Sequence, residues 1–196
     1  MELISLTSRN IQNTVETAAR ILKKGGVVVA PTDTVYGLIA DATNDSAIKK
    51  IYAIKKRSRE KPLPVFVKNM AMANKFAEIS QNQRKILEEK WPGKVTAILR
   101  RKHDLKIFGV AGDTIALRIP FYHFINSLLE TLDSPLAGTS ANISGKPAST
   151  KIDDIIQQFL GLNPLPDIFI NAGDLADSKS STIIDMTKQE IKIIRA

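Results

Sequence analysis

Gly25-Gly26-Val27-Val28-Val29-Ala30-Pro31 reads as a helix stop, a short buried strand and a strand stop. The two glycines end a helix expected over residues 9–24, where Ile11, Val15, Ala18, Ala19 and Leu22 share one face. The apolar run 27–30 is too short for a helix and suits a strand, and Pro31 closes it. A polar, turn-rich segment, residues 31–38, comes next, and then Asn44-Asp45-Ser46 caps a second helix carrying Ala47, Ile48, Ile51, Tyr52 and Ile54. The same alternation continues to the end of the chain. Strands are expected at 64–67, 95–99, 115–119, leading into Gly138, and at 167–171, 181–186 and 190–195. Helices are expected at 71–78, 82–90, 122–132 and 152–160, with Trp91-Pro92-Gly93 breaking the second of these. Thr187-Lys188-Gln189 between the last two strands suggests a terminal hairpin. Interleaved helices and strands make the class α/β with a mixed sheet.

The chain has 196 residues, with 43% hydrophobic and 24% charged content, and suits a single domain spanning 1–196. No apolar run approaches the length of a membrane span, and residues 1–5 lack the pattern of a signal peptide. Cysteine is absent, which excludes disulfides, thiolate metal sites and cysteine nucleophiles and makes the cytoplasm the default expectation. His103 and His123 have no metal-ligand spacing, and no G-x-S-x-G elbow, G-x-G-x-x-G turn or Walker A sequence occurs. The net charge of +8 favours anionic partners such as nucleotides or nucleic acid. Seven of the 28 Lys and Arg residues fall between Lys49 and Lys61, so the excess is local.

That local excess peaks in Lys55-Lys56-Arg57-Ser58-Arg59-Glu60-Lys61-Pro62-Leu63, a connection between a helix and a strand. In an extended segment Lys55 and Arg57 face the same side and can meet one phosphate chain, although a solvated basic turn has the same composition. Thr139-Ser140-Ala141-Asn142 follows a strand and is rich in hydroxyls; Ser140 and Asn142 share the two-apart spacing, and an ordinary turn is the plainer alternative. Pro31–Leu38 mixes hydroxyls with apolar side chains, as a pocket wall for a small polar ligand does. Within it Asp33 suits a cation, an amine or, more commonly, a backbone amide. Arg118 interrupts an apolar strand, which is costly unless it is paired or rims a cavity, and Arg195 poses the same question at the end of the last strand.

These pieces together resemble the YrdC/Sua5 family, the threonylcarbamoyl-AMP synthases, over nearly the whole chain. Residues 31–38 resemble the family's first signature, and Lys55-Lys56-Arg57 with Lys61-Pro62-Leu63 its K-x-R block. Trp91-Pro92-Gly93-Lys94-Val95-Thr96, Arg118-Ile119-Pro120, Ser140-Ala141-Asn142 and Ser181-Thr182-Ile183-Ile184-Asp185 match further segments in order, and Arg195 fits a late arginine.

The resemblance implies a strongly twisted mixed sheet with flanking helices and a concave, basic surface. It implies that L-threonine, bicarbonate and ATP give threonylcarbamoyl-adenylate and pyrophosphate, for use by tRNA-modifying threonylcarbamoyl transferase proteins. By the same resemblance Lys55, Arg57, Ser140 and Asn142 hold the ATP phosphates with Mg²⁺ bridging them, and Lys55 and Arg57 carry the catalytic charge. Thr114 and Arg195 fall on the nucleotide side. Thr32, Thr34, Arg118, Thr139 and Ser181 hold threonine, with Arg118 on its carboxylate. No protein ligand to the metal and no protein nucleophile are expected. Three departures stand out: no histidine at Phe66 or Val67, Ser58 where a proline is common, and a Sua5-type second domain that is expected to be missing after Arg195. A module that binds tRNA or double-stranded RNA without synthase activity is the competing expectation.

Overall fold

The computed structural model describes residues 2–104 and 106–196. Among them the chain forms α1 (Ile11–Lys23), α2 (Asp45–Lys55), α3 (Met70–Phe76), α4 (Gln81–Lys90), α5 (His123–Leu132) and α6 (Ile152–Phe159). The strands are β1 (Glu2–Ser5), β2 (Val28–Ala30), β3 (Gly37–Asp41), β4 (Val65–Phe66), β5 (Ala77–Glu78), β6 (Val95–Arg101), β7 (Thr114–Arg118), β8 (Leu136–Ser140), β9 (Ile168–Asn171), β10 (Thr182–Asp185) and β11 (Lys192–Arg195). All belong to one mixed sheet in the order β1-β9-β2-β3-β8-β4-β7-β6-β10-β11, with β5 paired to β6. The expected α/β class and mixed sheet are what the chain adopts, and β10 and β11 are the antiparallel terminal pair.

Local chemistry sets the element ends. Gly25 takes φ +80°, and the amides of Gly25 and Gly26 close back on Leu22 O and Ile21 O, which stops α1. The Asn44 side chain caps α2 through Ala47 N, and Ser80 with Gln83 forms a reciprocal capping box on α4.

Three strands escape the sequence reading. β3 lies where residues 37 and 38 read as the end of a turn; Leu38 and Ala40 pack on one face of the sheet and Ile39 on the other, so the strand shows no polar alternation. β1 is a short, mostly exposed edge strand beside β9, and β5 continues directly from α3.

The two faces of the sheet carry separate cores. One contains buried residues of α2, α3, α4 and α6, including Ile51, Phe76, Leu87 and Phe159. The other is formed by α1 and α5 against β2, β3, β8 and β9, through Val15, Leu22, Leu128 and Ile168. That second core includes no residue of β6, β7, β10 or β11. Side chains alternate between faces along a strand. On β6 and β7, Ala97, Leu99, Ile115 and Leu117 enter the first core, so Thr96, Ile98, Ala116 and Arg118 point to the face that α1 and α5 leave uncovered.

Candidate active site

A cavity of about 220 Å³ lies on this uncovered half of the face. The β2–β3 connection contributes Thr32 and Thr34, β7 contributes Arg118, β8 contributes Thr139 and Ser140, Ser181 comes directly before β10 and Arg195 from the end of β11. Arg57 reaches it from the connection after α2. Eight residues expected from the sequence thus line one cavity, although they are spread from position 32 to position 195.

Arg118 is only 3% exposed. Its Nη2 donates to Asp33 Oδ1 at 2.5 Å, its Nε to Gly93 O at 2.9 Å, and its Nη1 makes a long 3.5 Å contact with Thr34 Oγ1. Of the five N–H donors of a guanidinium this leaves one on each terminal nitrogen, donors that a carboxylate can accept. Burial lowers the Arg118 pKa, and the Asp33 charge and hydrogen bond oppose that shift. Asp33 also accepts Phe121 N at 3.0 Å, so it serves a backbone amide and a cation at once.

Hydroxyls surround this cation. Thr32 Oγ1 bridges Thr34 Oγ1 at 3.1 Å and donates to Val35 O at 2.6 Å. Ser181 Oγ lies 2.9 Å from Thr96 Oγ1, and Ser181 O accepts from Arg195 Nε and Nη2 at 3.0 and 2.6 Å. Burial, and then the charge of Arg118, lower the Arg195 pKa. The two guanidinium groups repel each other across the cavity, and a bound anion relieves that repulsion.

Lys55 and Arg57 do not share one side as their two-apart spacing predicts. Lys55 is the last residue of α2 and Lys56 takes the left-handed conformation, so the segment is not extended and the two side chains do not run in parallel. Lys55 is 2% exposed and lies outside the cavity lining. Its Nζ donates to Ser140 O at 2.6 Å, Asn142 O at 2.9 Å and Asn142 Oδ1 at 3.1 Å. Burial, with the Arg57 charge second, pulls its pKa down to about 7, whereas three oxygen acceptors suit the three donors of an ammonium. Arg57 is half-buried and folds onto its own loop, with Nε to Lys61 O and Nη2 to Pro62 O. Lys56, Arg59 and Lys61 are exposed.

Ser140 and Asn142 do not face one ligand side by side either. Ser140 Oγ donates to Asn142 Oδ1 at 2.6 Å, and the Asn142 amide donates to Ile143 O and Lys146 O. Asn142 is buried and outside the lining, while Ser140 is half-exposed and within it. Thr114 is also outside the lining; it lies on β7 two residues before Ala116, on the same face, with its hydroxyl 3.4 Å from Ala111 O.

The sequence reading assigned no site role to Thr96, Phe66 or Gly138, all of which line the cavity. Thr96 carries a signal, a hydroxyl in an apolar strand directly after the Trp-Pro-Gly turn. Phe66 is marked only by the absence of the family's histidine at 66 or 67; on its own an aromatic residue beside Val65 and Val67 reads as core. No group of three His, Asp or Glu residues converges among the described residues.

A family model described as telomere recombination, covering Sua5, YciO and YrdC proteins, matches residues 20–196. A Methanocaldococcus jannaschii protein provisionally named a threonylcarbamoyl-AMP synthase is 34% identical over 195 residues, covering 100% of this chain and 91% of its own. The Pyrococcus abyssi threonylcarbamoyl-AMP synthase is 30% identical over 98% of this chain and 56% of its own, so the chain spans a little over half of that relative. A crystal structure of P. abyssi Sua5 complexed with L-threonine superposes over all of this chain and 57% of that one, with a TM-score of 0.90 and 30% identity. With one cavity assembled from the same ordered segments, the chain belongs to the Sua5/YciO/YrdC family.

Proposed function

We propose that this protein is a threonylcarbamoyl-AMP synthase. The observation that carries the reading is a single cavity lined by Arg118, with two N–H groups to spare, together with the hydroxyls of Thr32, Thr34, Thr139 and Ser181 and the cations Arg57 and Arg195. A small hydroxy amino acid and a polyanion are the ligands such a lining suits. Threonylcarbamoyl-AMP synthases among the relatives, and the threonine complex of one of them, agree with that choice.

In this mechanism Arg118 receives the threonine carboxylate, and the hydroxyls orient the amine and the side chain. The amine nitrogen bonds to the carbon of bicarbonate and water leaves, giving a carbamate. A carbamate oxygen then bonds to the α-phosphorus of ATP as the bond to the β-phosphate oxygen breaks, and pyrophosphate departs. Arg57 and Ser140 face the phosphates, with Thr114 and Arg195 on the nucleotide side. Asn142 and Lys55 belong to the phosphate subsite by shaping the turn that presents Ser140. Catalysis is positioning and charge neutralisation, without a covalent enzyme intermediate.

Mg²⁺ carried in with the triphosphate would supply further charge neutralisation. Among the described residues no cluster of three carboxylates or histidines could hold it, and Asp33 is committed to Arg118 and Phe121 N, so the protein side would leave that metal to the substrate. The product then passes to tRNA-modifying threonylcarbamoyl transferase proteins in the cytoplasm.

Pyrophosphate release from ATP in bicarbonate buffer tests the proposal, with and without L-threonine and with serine as comparator. Release is expected to require L-threonine and to accompany an adenylate bearing the carbamoylated amino acid. Turnover indifferent to threonine, combined with steeply salt-dependent binding of tRNA, would replace the synthase with an RNA-binding module.

A further inference from the structure

Phe66, Arg118 and Gly138 form a row across three adjacent strands on the face that holds the cavity. β4 runs parallel to β7 with Phe66 opposite Arg118, and antiparallel to β8 with Phe66 opposite Leu136. Gly138 is therefore the next position on the same face of β8. The Phe66 ring takes the space a side chain at Gly138 would need: a Cβ there would sit 2.4 Å from Cε2 and 2.6 Å from Cζ. The Arg118 guanidinium carbon lies 5.7 Å from the centroid of the same ring, within cation–π range. Gly93 O and Asp33 hold two of its nitrogens, and the ring adds a contact that no hydrogen bond supplies.

We propose that Phe66, given room by Gly138, is a positioning residue that holds the Arg118 guanidinium for the carboxylate of the amino-acid substrate. The inference rests on the assignment of Arg118 to that carboxylate. Phe66 offers the substrate no polar atom; it acts through the orientation of the cation beside it. A histidine-free β4 is then a working arrangement in this chain, with an apolar ring in the place between Arg118 and β8.

Calorimetric titration with two ligands tests this: L-threonine, and L-threoninamide, which keeps the amine, hydroxyl and methyl groups and lacks the carboxylate. Phe66→Leu and Gly138→Ala are expected to lose roughly tenfold in affinity for L-threonine and no more than about twofold for the amide, whose neutral carbonyl draws less on the guanidinium. Phe66→Tyr, which keeps the ring face, stays within about twofold of wild type for both ligands. A fault in packing alone lowers both affinities together, and that result, or unchanged threonine binding in Phe66→Leu, overturns the proposal. Should Phe66→Leu fail to fold, Gly138→Ala gives the same comparison by displacing the ring from the other side. A wild type that does not prefer threonine over its amide overturns the Arg118 assignment and this inference together. A wild type with the preference and a Phe66→Leu variant that keeps it overturns the inference alone.

Discussion

Lys55 shows how one buried charge divides its tasks. Its Nζ is consumed by Ser140 and Asn142, so it organises the turn after β8. Burial holds its folded pKa near 7, against 10.5 for an ordinary lysine. Between those pH values the unfolded chain binds a proton that the folded chain has released, so stability rises with pH across the window. Urea unfolding at pH ~7.5 and ~9.5 should show this slope in the wild type and not in Lys55→Met. Arg57 has the opposite assignment, because it lines the cavity itself. Arg57→Ala should slow threonine-dependent pyrophosphate release roughly tenfold, with a smaller change in the KM for threonine. The sequence identified both cations but not this division. Two-apart spacing indicates a shared side only in extended backbone, and the left-handed turn at Lys56 lies between them.

At the scale of elements, the turn between α4 and β6 fixes the cavity's principal cation from behind. Gly93 donates its N–H to Ile119 O and offers its carbonyl to Arg118 Nε. A Cβ at Gly93 would meet the backbone oxygen of Lys90 at 2.7 Å, so Gly93→Ala must shift the turn and with it the carbonyl. The expected result is a KM for threonine raised roughly tenfold with the KM for ATP little changed, measured by initial rates. Most elements were legible because their periodicity survives in the chain: α1 shows one apolar face, and β6 and β7 show compact apolar runs. β3 was not, because Gly37-Leu38-Ile39-Ala40 is buried on both faces and begins where a turn motif ends. Arg118 was legible as an anomaly, since a cation in an apolar strand needs a reason. Phe66 was legible only as a departure from the family's histidine, since its role depends on a neighbour 52 residues away and on the missing side chain of Gly138.

For the whole molecule, the division of one sheet face between a helix-covered half and an open half separates stability from binding. Leu128 on α5 is fully buried in the covered half. Leu128→Ala should cost about 2–4 kcal/mol in unfolding free energy while the KM values for threonine and ATP stay at wild-type levels. A large change in either KM would mean that the two halves are mechanically linked.

The open half also bears on how the molecule fluctuates. β10 joins the sheet by pairing Thr182 with Val95, far away in sequence, and every residue of β11 beyond it is exposed. Ile184 anchors β10 in the first core, but β11 buries no side chain, so this margin should open locally, from β11 inward, before the sheet as a whole unfolds. Ser181 and Arg195 belong to this margin, and a ligand that engages them ties it down. Amide hydrogen exchange in β10 and β11 should therefore slow when substrates are added, while protection in β2 and β9, already sealed beneath α1 and α5, should not change. On this view substrate is also a clasp, and the unliganded protein begins to come apart at the strands that complete its own binding site.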